Sequence, residues 1–189
     1  MNKYKVLDLS RLLPGPLCGH LLTRLGCEVV KVDSRENGDY VRYLPPLLRF
    51  RSEKGTASRQ HGALFEALNS GKRCLGLDLR HKEAAGIVKR LVPHYDVIIE
   101  GSRPGGMDKL GLGYKDLLAV NPRLVYCSLS GFGGSGTYSR RAGHDINYMA
   151  IAGLLGMSKD PSSIVGFQAA DGKNISILKT LFYSHLKFL

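Results

Sequence analysis

Tryptophan is absent from the 189 residues. No apolar run approaches the roughly 20 residues that a membrane-spanning helix needs, so no membrane span is expected. The opening stretch, Met1 to Ser10, has no apolar core of the kind a secretory signal carries. The four cysteines, Cys18, Cys27, Cys74 and Cys127, stand far apart and form no C-x-x-C pair, which excludes a zinc ribbon and a thioredoxin-type redox motif. Cys27, Cys74 and Cys127 fall in or beside apolar runs and read as small buried hydrophobes. The histidines other than His144 have no partner at metal-ligand spacing, so no metal is expected. There is no run of five like charges and no zinc-finger or RNA-recognition signature, so no nucleic-acid partner is expected. These absences describe a soluble, cytoplasmic protein of a reducing compartment, with mitochondrial or peroxisomal residence open for a eukaryotic source. The final Lys187-Phe188-Leu189 is not a Ser-Lys-Leu address.

What is present is a basic, globular chain. There are 27 Lys and Arg against 16 Asp and Glu, a formal net charge of +11, and 43% hydrophobic residues, enough for a core and suited to an anionic ligand. Apolar runs alternate with amphipathic ones. Residues 4–9 read as a buried strand, 14–16 as a Pro-Gly-Pro break, 17–25 as a helix closed by Gly26, and 28–33 as a β-branched strand ending in Asp33. The first turn lacks the G-x-G-x-x-G fingerprint, which argues against nicotinamide binding. Residues 34–60 read as an irregular, charged connection that is mobile or covers a ligand. Beyond it come a helix over 61–68, a polar turn over 69–73, a strand over 74–79, a helix over 81–92 and a strand over 96–100. Two short helices over 107–120, a strand over 124–130, a glycine-rich loop over 131–136 and a helix over 144–156 complete the pattern. Strands and helices in this order predict an α/β fold, a mostly parallel sheet flanked by helices.

Three places carry chemistry. His144, at a loop-to-helix junction, is a proton-transfer base or a capping or surface histidine, and Asp171 is its candidate partner. The turn Gly101-Ser102-Arg103 follows a strand, at the edge where open α/β sheets bind ligands, and Arg103 there is a candidate phosphate clamp. Lys72 and Arg73 form a basic turn that is either solvated or a phosphate contact.

Several motifs together resemble the family III CoA-transferases. They are Val6-Leu-Asp-Leu-Ser-Arg-Leu-Leu-Pro-Gly-Pro16, Leu25-Gly-Cys-Glu-Val-Val-Lys-Val-Asp33, Ala67-Leu-Asn-Ser-Gly-Lys-Arg73 and Leu77-Asp-Leu79, followed by Ile99-Glu-Gly-Ser-Arg-Pro-Gly105, Leu110-Gly111 and Ala142-Gly-His-Asp-Ile-Asn-Tyr148. Within the family the likeness runs toward the α-methylacyl-CoA racemases. The resemblance implies a Rossmann-like large N-terminal domain over residues 1–171 that binds coenzyme A as the acyl-CoA substrate, and an interlocked homodimer. It assigns CoA contacts to Lys72, Arg103 and the backbone at Gly101, Ser102 and Gly143. Relatives often carry an arginine directly after the acid that ends the second strand; here Ser34 stands there and Arg35 follows. In racemase-like members the histidine matched by His144 and the aspartate matched by Asp171 are the two bases flanking the α-carbon. In the transferases the aspartate is the acyl-carrying nucleophile, and a tyrosine often replaces the histidine.

After Asp171 the pattern departs from the family. Residues 172–189 form a divergent tail, and the resemblance implies that a second domain is missing. The tail is apolar at Ile175, Ile177, Leu178, Leu181, Phe182, Leu186, Phe188 and Leu189, a stripe that predicts self-association if nothing covers it. Three readings follow: an α-methylacyl-CoA racemase, an acyl-CoA:carboxylate CoA-transferase working through Asp171, and a non-catalytic CoA-binding chain.

Overall fold

The computed structural model describes residues 3–34, 36, 38–51 and 58–157. Arg35, Asp171 and the tail over 172–189 lie outside the described residues, as does the expected boundary at residue 171.

Strand β1 (Lys5–Asp8) leads through helix α1 (Pro14–Arg24) to β2 (Glu28–Asp33). The Pro-Gly-Pro stretch is the first turn of α1, not a break before it. Proline at the start of a helix loses no bonded N–H and already has a helical φ. Gly26, at φ 92°, ends the helix; Cys27 N donates to Leu22 O and Gly26 N to Thr23 O, satisfying its last carbonyls.

The described residues of the segment expected to be irregular are instead folded. It contains a 3-10 turn (Tyr40–Tyr43) and an antiparallel pair, β3 (Leu47–Arg51) with β4 (Ser58–Gly62). Its polar and basic residues conceal any strand alternation, and its partner strand is fixed only in space. Helix α2 (Ala63–Asn69) and β5 (Arg73–Gly76) follow, then α3 (Ala84–Leu91), β6 (Val97–Glu100), α4 (Gly106–Lys109), α5 (Tyr114–Val120), β7 (Val125–Ser128) and α6 (Asp145–Ile151). Helix α6 is shorter than the apolar run suggested. Gly153 at φ 77° stops it, with Leu154 N bonded to Met149 O and Gly153 N to Ala150 O.

Five strands form one parallel sheet in the order β5-β2-β1-β6-β7. The side chains of β1 and β6 alternate between two cores. Leu7 and Ile98 join Val88, Val92, Met107 and Leu117, which come from α3, α4, α5 and the turn after α3. Val6, Val97 and Ile99 pack with Cys18 and Leu22 of α1 on the other face. The strands are therefore near-continuous apolar runs, as a sheet covered on both faces requires. Cys18 and Cys127 are buried, and burial raises their thiols to about 12 and about 11. Cys74, expected inside, is exposed on the edge strand β5. Among the described residues no helix is long and apolar enough to cross a membrane.

Candidate CoA-binding edge

The chain runs outward from β1 through β2 to β5 on one side of the sheet, and then returns to β6 and β7 on the other. The order reverses between β1 and β6, which opens a crevice at their C-terminal ends, where ligands bind in open α/β sheets. Gly101, the first residue after β6, places its backbone against the loop after β1: a Cβ there would stand 3.7 Å from Ser10 Cβ. The residue after β7 approaches the first turn of α1, since a Cβ on Gly15 would lie 3.3 Å from Leu129 Cδ1.

Arg103 is exposed on the turn that leaves β6, and Ser102 is half-buried behind it. Gly105, at φ 80°, turns the chain into α4. Beside Arg103 is a cleft of about 290 Å³, lined among others by Glu100, Met107, Tyr114, Tyr126 and Ser128. A larger cleft of about 560 Å³, with Lys3, Lys5, Asp96 and Arg123 in its wall, lies at the opposite, N-terminal edge of the sheet. Glu100 is a residue that sequence reasoning passed over, because a lone acid closing a strand gives no sign of burial. It is 4% exposed and accepts from Ser102 N at 2.6 Å. Burial raises its carboxyl above the ordinary 4.5, with Ser128 and Ser102 hydrogen bonds opposing.

A raised carboxyl favours the folded state fully below its ordinary value, and that contribution is lost as pH rises through the raised value. Glu100→Gln should therefore be as stable as the parent or more stable at neutral pH, and lose that advantage as pH falls toward 4.5. Urea midpoints of both proteins across this range check it; a variant less stable at neutral pH would contradict it.

Lys72 sits elsewhere than a phosphate contact would suggest. Its side chain is 1% exposed, and its ammonium donates to Asp8 Oδ2 at 2.9 Å, Pro16 O at 2.8 Å and Asn69 Oδ1 at 3.1 Å. All three of its donors are thus engaged within the protein. Asp8 also accepts from Ser10 N at 3.0 Å and from the Ser10 hydroxyl. Space is made for the pair by glycine, since a Cβ on Gly19 would lie 2.9 Å from both Asp8 Oδ2 and Lys72 Nζ. Asp33, where a dinucleotide fold would place its ribose acid, is committed as well. It accepts from Asp39 N and from Arg42 Nη2, both at 2.9 Å.

His144 is exposed at the N-terminus of α6, where its backbone N donates to Asn147 Oδ1 at 2.9 Å. The loop before it is held by aromatics. Phe132 meets Tyr148 edge-on at 5.0 Å, and the Tyr148 hydroxyl donates to Gly143 O at 2.6 Å. A Cβ on Gly143 would lie 2.8 Å from Tyr148 Cε1 and 3.0 Å from Phe132, so glycine is required there for packing. Gly101, Ser102 and Arg103 are brought together at the crevice, whereas Lys72 is buried under α1. No hydrogen bond or ion pair links His144 to either group. Among the described residues no group of three or more His, Cys, Asp or Glu converges as metal ligands.

A parallel sheet with this strand order, flanked by helices and reversing direction between β1 and β6, defines an α/β fold of the Rossmann-like type. The sequence model of CoA-transferase family III matches residues 1–174, and the chain belongs to that family. It is 42% identical over 150 residues to human alpha-methylacyl-CoA racemase, covering 79% of this chain and 33% of that protein. To the succinate–glutarate CoA-transferase of Agrobacterium fabrum it is 37% identical over 162 residues, 85% of this chain and 40% of that one. Among solved structures, a CAIB/BAIF family protein from Brucella suis superposes with a TM-score of 0.83 at 36% identity, covering 99% of this chain and 51% of that one. The Rv3272 protein of Mycobacterium tuberculosis gives 0.85 at 32% identity, covering 98% and 50%. The chain therefore spans about a third to two fifths of these curated relatives and about half of the solved ones. The family comprises enzymes, both CoA-transferases and racemases.

Proposed function

We propose that this chain is the CoA-handling part of an α-methylacyl-CoA racemase-type enzyme that acts on 2-methylacyl-CoA thioesters and works as a homodimer. The observation that carries the reading is the reversal of strand order between β1 and β6, with Arg103 exposed on the turn that leaves β6. Arg103 supplies a planar donor fork for a CoA phosphate. Gly101 and Ser102 bring backbone close to the ligand, Gly143 shapes the His144 loop, and Arg35 is a further candidate for a phosphate. His144 and Asp171 act as the two bases. One takes the thioester α-proton, the charge passes to the carbonyl oxygen as an enolate, and the other returns a proton to the opposite face. Because that α-proton is weakly acidic, N–H donors must stabilise the enolate oxygen. Exposure of His144 suits this role, since a base must reach the substrate carbon.

A second reading is favoured by the identity to a succinate–glutarate CoA-transferase: acyl transfer from CoA to a carboxylate, with Asp171 as nucleophile. Incubating the 189-residue chain with a 2-methylacyl-CoA in deuterated water, without any carboxylate, separates the two. The racemase reading expects deuterium at the α-carbon. Absence of deuterium together with CoA transfer to added glutarate would replace it with the transferase reading. CoA binding with neither reaction would leave a non-catalytic CoA-binding chain.

The clamp has its own test. Arg103→Ala should weaken CoA binding by roughly 1 to 3 kcal/mol, the usual cost of losing a charge-assisted contact. Titration calorimetry at low ionic strength reads it directly. Affinity equal to the parent's would return Arg103 to an ordinary solvated turn residue.

A further inference from the structure

The loop between β1 and α1 is held in a conformation its sequence does not favour. Leu12 has φ 70°, the left-handed region, and among the described residues it is the only non-glycine residue with positive φ. A leucine there is strained by its Cβ, and such outliers persist only where surrounding contacts determine them. The contacts here are two buried ion pairs, one acting on each side of Arg11. Asp8, paired with Lys72, holds Ser10 through its backbone N and its hydroxyl. Lys31, 1% exposed, donates to Ser10 O at 2.9 Å and lies 3.5 Å from Asp39 Oδ2, and Asp39 accepts from Leu12 N at 2.9 Å. Ser10 and Leu12 are thus both pinned from within, while Arg11 between them is exposed. Among the described residues no carboxylate pairs with Arg11, as none pairs with Arg103. The two arginines leave adjacent strands, β1 and β6, whose ends approach within 3.7 Å at Ser10 and the Cβ position of Gly101.

We propose that Arg11 is a second anion-binding residue of this crevice, presented by a strained Ser10–Leu12 turn that Asp8, Lys31 and Asp39 hold as positioning residues. The inference rests on the CoA reading and adds to it a group that recognises phosphate from the β1 side. Preorganisation is the physical gain. A guanidinium on a loop already fixed in its bound shape loses little conformational freedom when the anion arrives. Burying two ion pairs beneath one turn makes little sense as stabilisation alone, because such pairs often do no better than apolar packing.

The test is CoA affinity of the 189-residue chain at low ionic strength, measured for the parent, Arg11→Ala, Arg11→Lys, Leu12→Gly and Lys3→Ala. Arg11→Ala should bind roughly tenfold more weakly or worse, with an unchanged unfolding temperature because the residue is exposed. Arg11→Lys should recover part of the loss, keeping the charge without the fork. Leu12→Gly frees the turn and should weaken binding several-fold while Arg11 itself remains, a change that a purely structural turn would not produce. Lys3, exposed at the opposite sheet edge, controls for net charge, and its alanine variant should bind as the parent does. Arg11→Ala binding as tightly as the parent, or no more weakly than Lys3→Ala, overturns the proposal. Unaltered affinity in Leu12→Gly overturns the presenting role of the turn. A parent that does not bind CoA at all overturns the CoA reading itself. A parent whose binding depends on Arg103 but not on Arg11 overturns only the present inference.

Discussion

Lys72→Met should cost about 3 to 5 kcal/mol of folding stability, the range for breaking one half of a buried ion pair. Asp8 is fully buried, and without the ammonium its carboxylate keeps only the Ser10 donors. Pro16 O and Asn69 Oδ1 lose a donor in the same step. Burial is the largest influence on Lys72 and pushes its ammonium below the ordinary 10.5, with Asp8 opposing, so the charge is itself costly to bury. For that reason the double variant Asp8→Asn/Lys72→Met should recover much of the loss, since no uncompensated charge remains. Urea unfolding of the parent, the single variant and the double variant decides. Equal losses in single and double variants would show that the lysine acts through packing. A stable Lys72→Met with weakened CoA binding would restore it as a phosphate contact.

His144→Ala should slow α-proton exchange of a 2-methylacyl-CoA by roughly 10²- to 10⁴-fold, the usual contribution of a positioned general base. Its fold should be unchanged, because the side chain is exposed and the cap to Asn147 uses the backbone N. CoA affinity should also stay near the parent's, since Arg103 stands on a different turn. Exchange measured by NMR in deuterated water gives the comparison. An alanine variant that exchanges as fast as the parent removes His144 from the proton transfer and leaves the transferase reading ahead.

The local elements were legible because their causes are local. Val6-Leu7, Val29-Val30 and Val97-Ile98-Ile99 are apolar runs bounded by glycine, proline or charge, and each became a strand of the buried sheet. Gly26 reads from the sequence as a helix end, and its φ is positive. The Gly101-Ser102-Arg103 turn was expected at a strand's C-terminal edge and is there, since it directly follows β6. The β3-β4 pair was not legible. Strand pairing is a through-space choice, and residues 58–62, with Arg59, Gln60 and His61, carry no apolar alternation to announce it.

By itself the sequence determined the α/β class and the family, because ordered motifs and short-range periodicity are written along the chain. Which charges stay exposed and which are committed inside the fold was decided only by the tertiary structure. Lys72 reads as a basic turn residue until Asp8, 64 positions away, takes its ammonium. Asp33, Lys31 and Asp39 are likewise committed to one another's neighbourhood, whereas Arg11 and Arg103 remain exposed. A buried charge must find its counter-charge wherever the fold brings one within about 4 Å, because a charge left buried without a partner loses its hydration with nothing to offset the loss. That partner is a matter of position in space, and spacing along the chain does not reveal it.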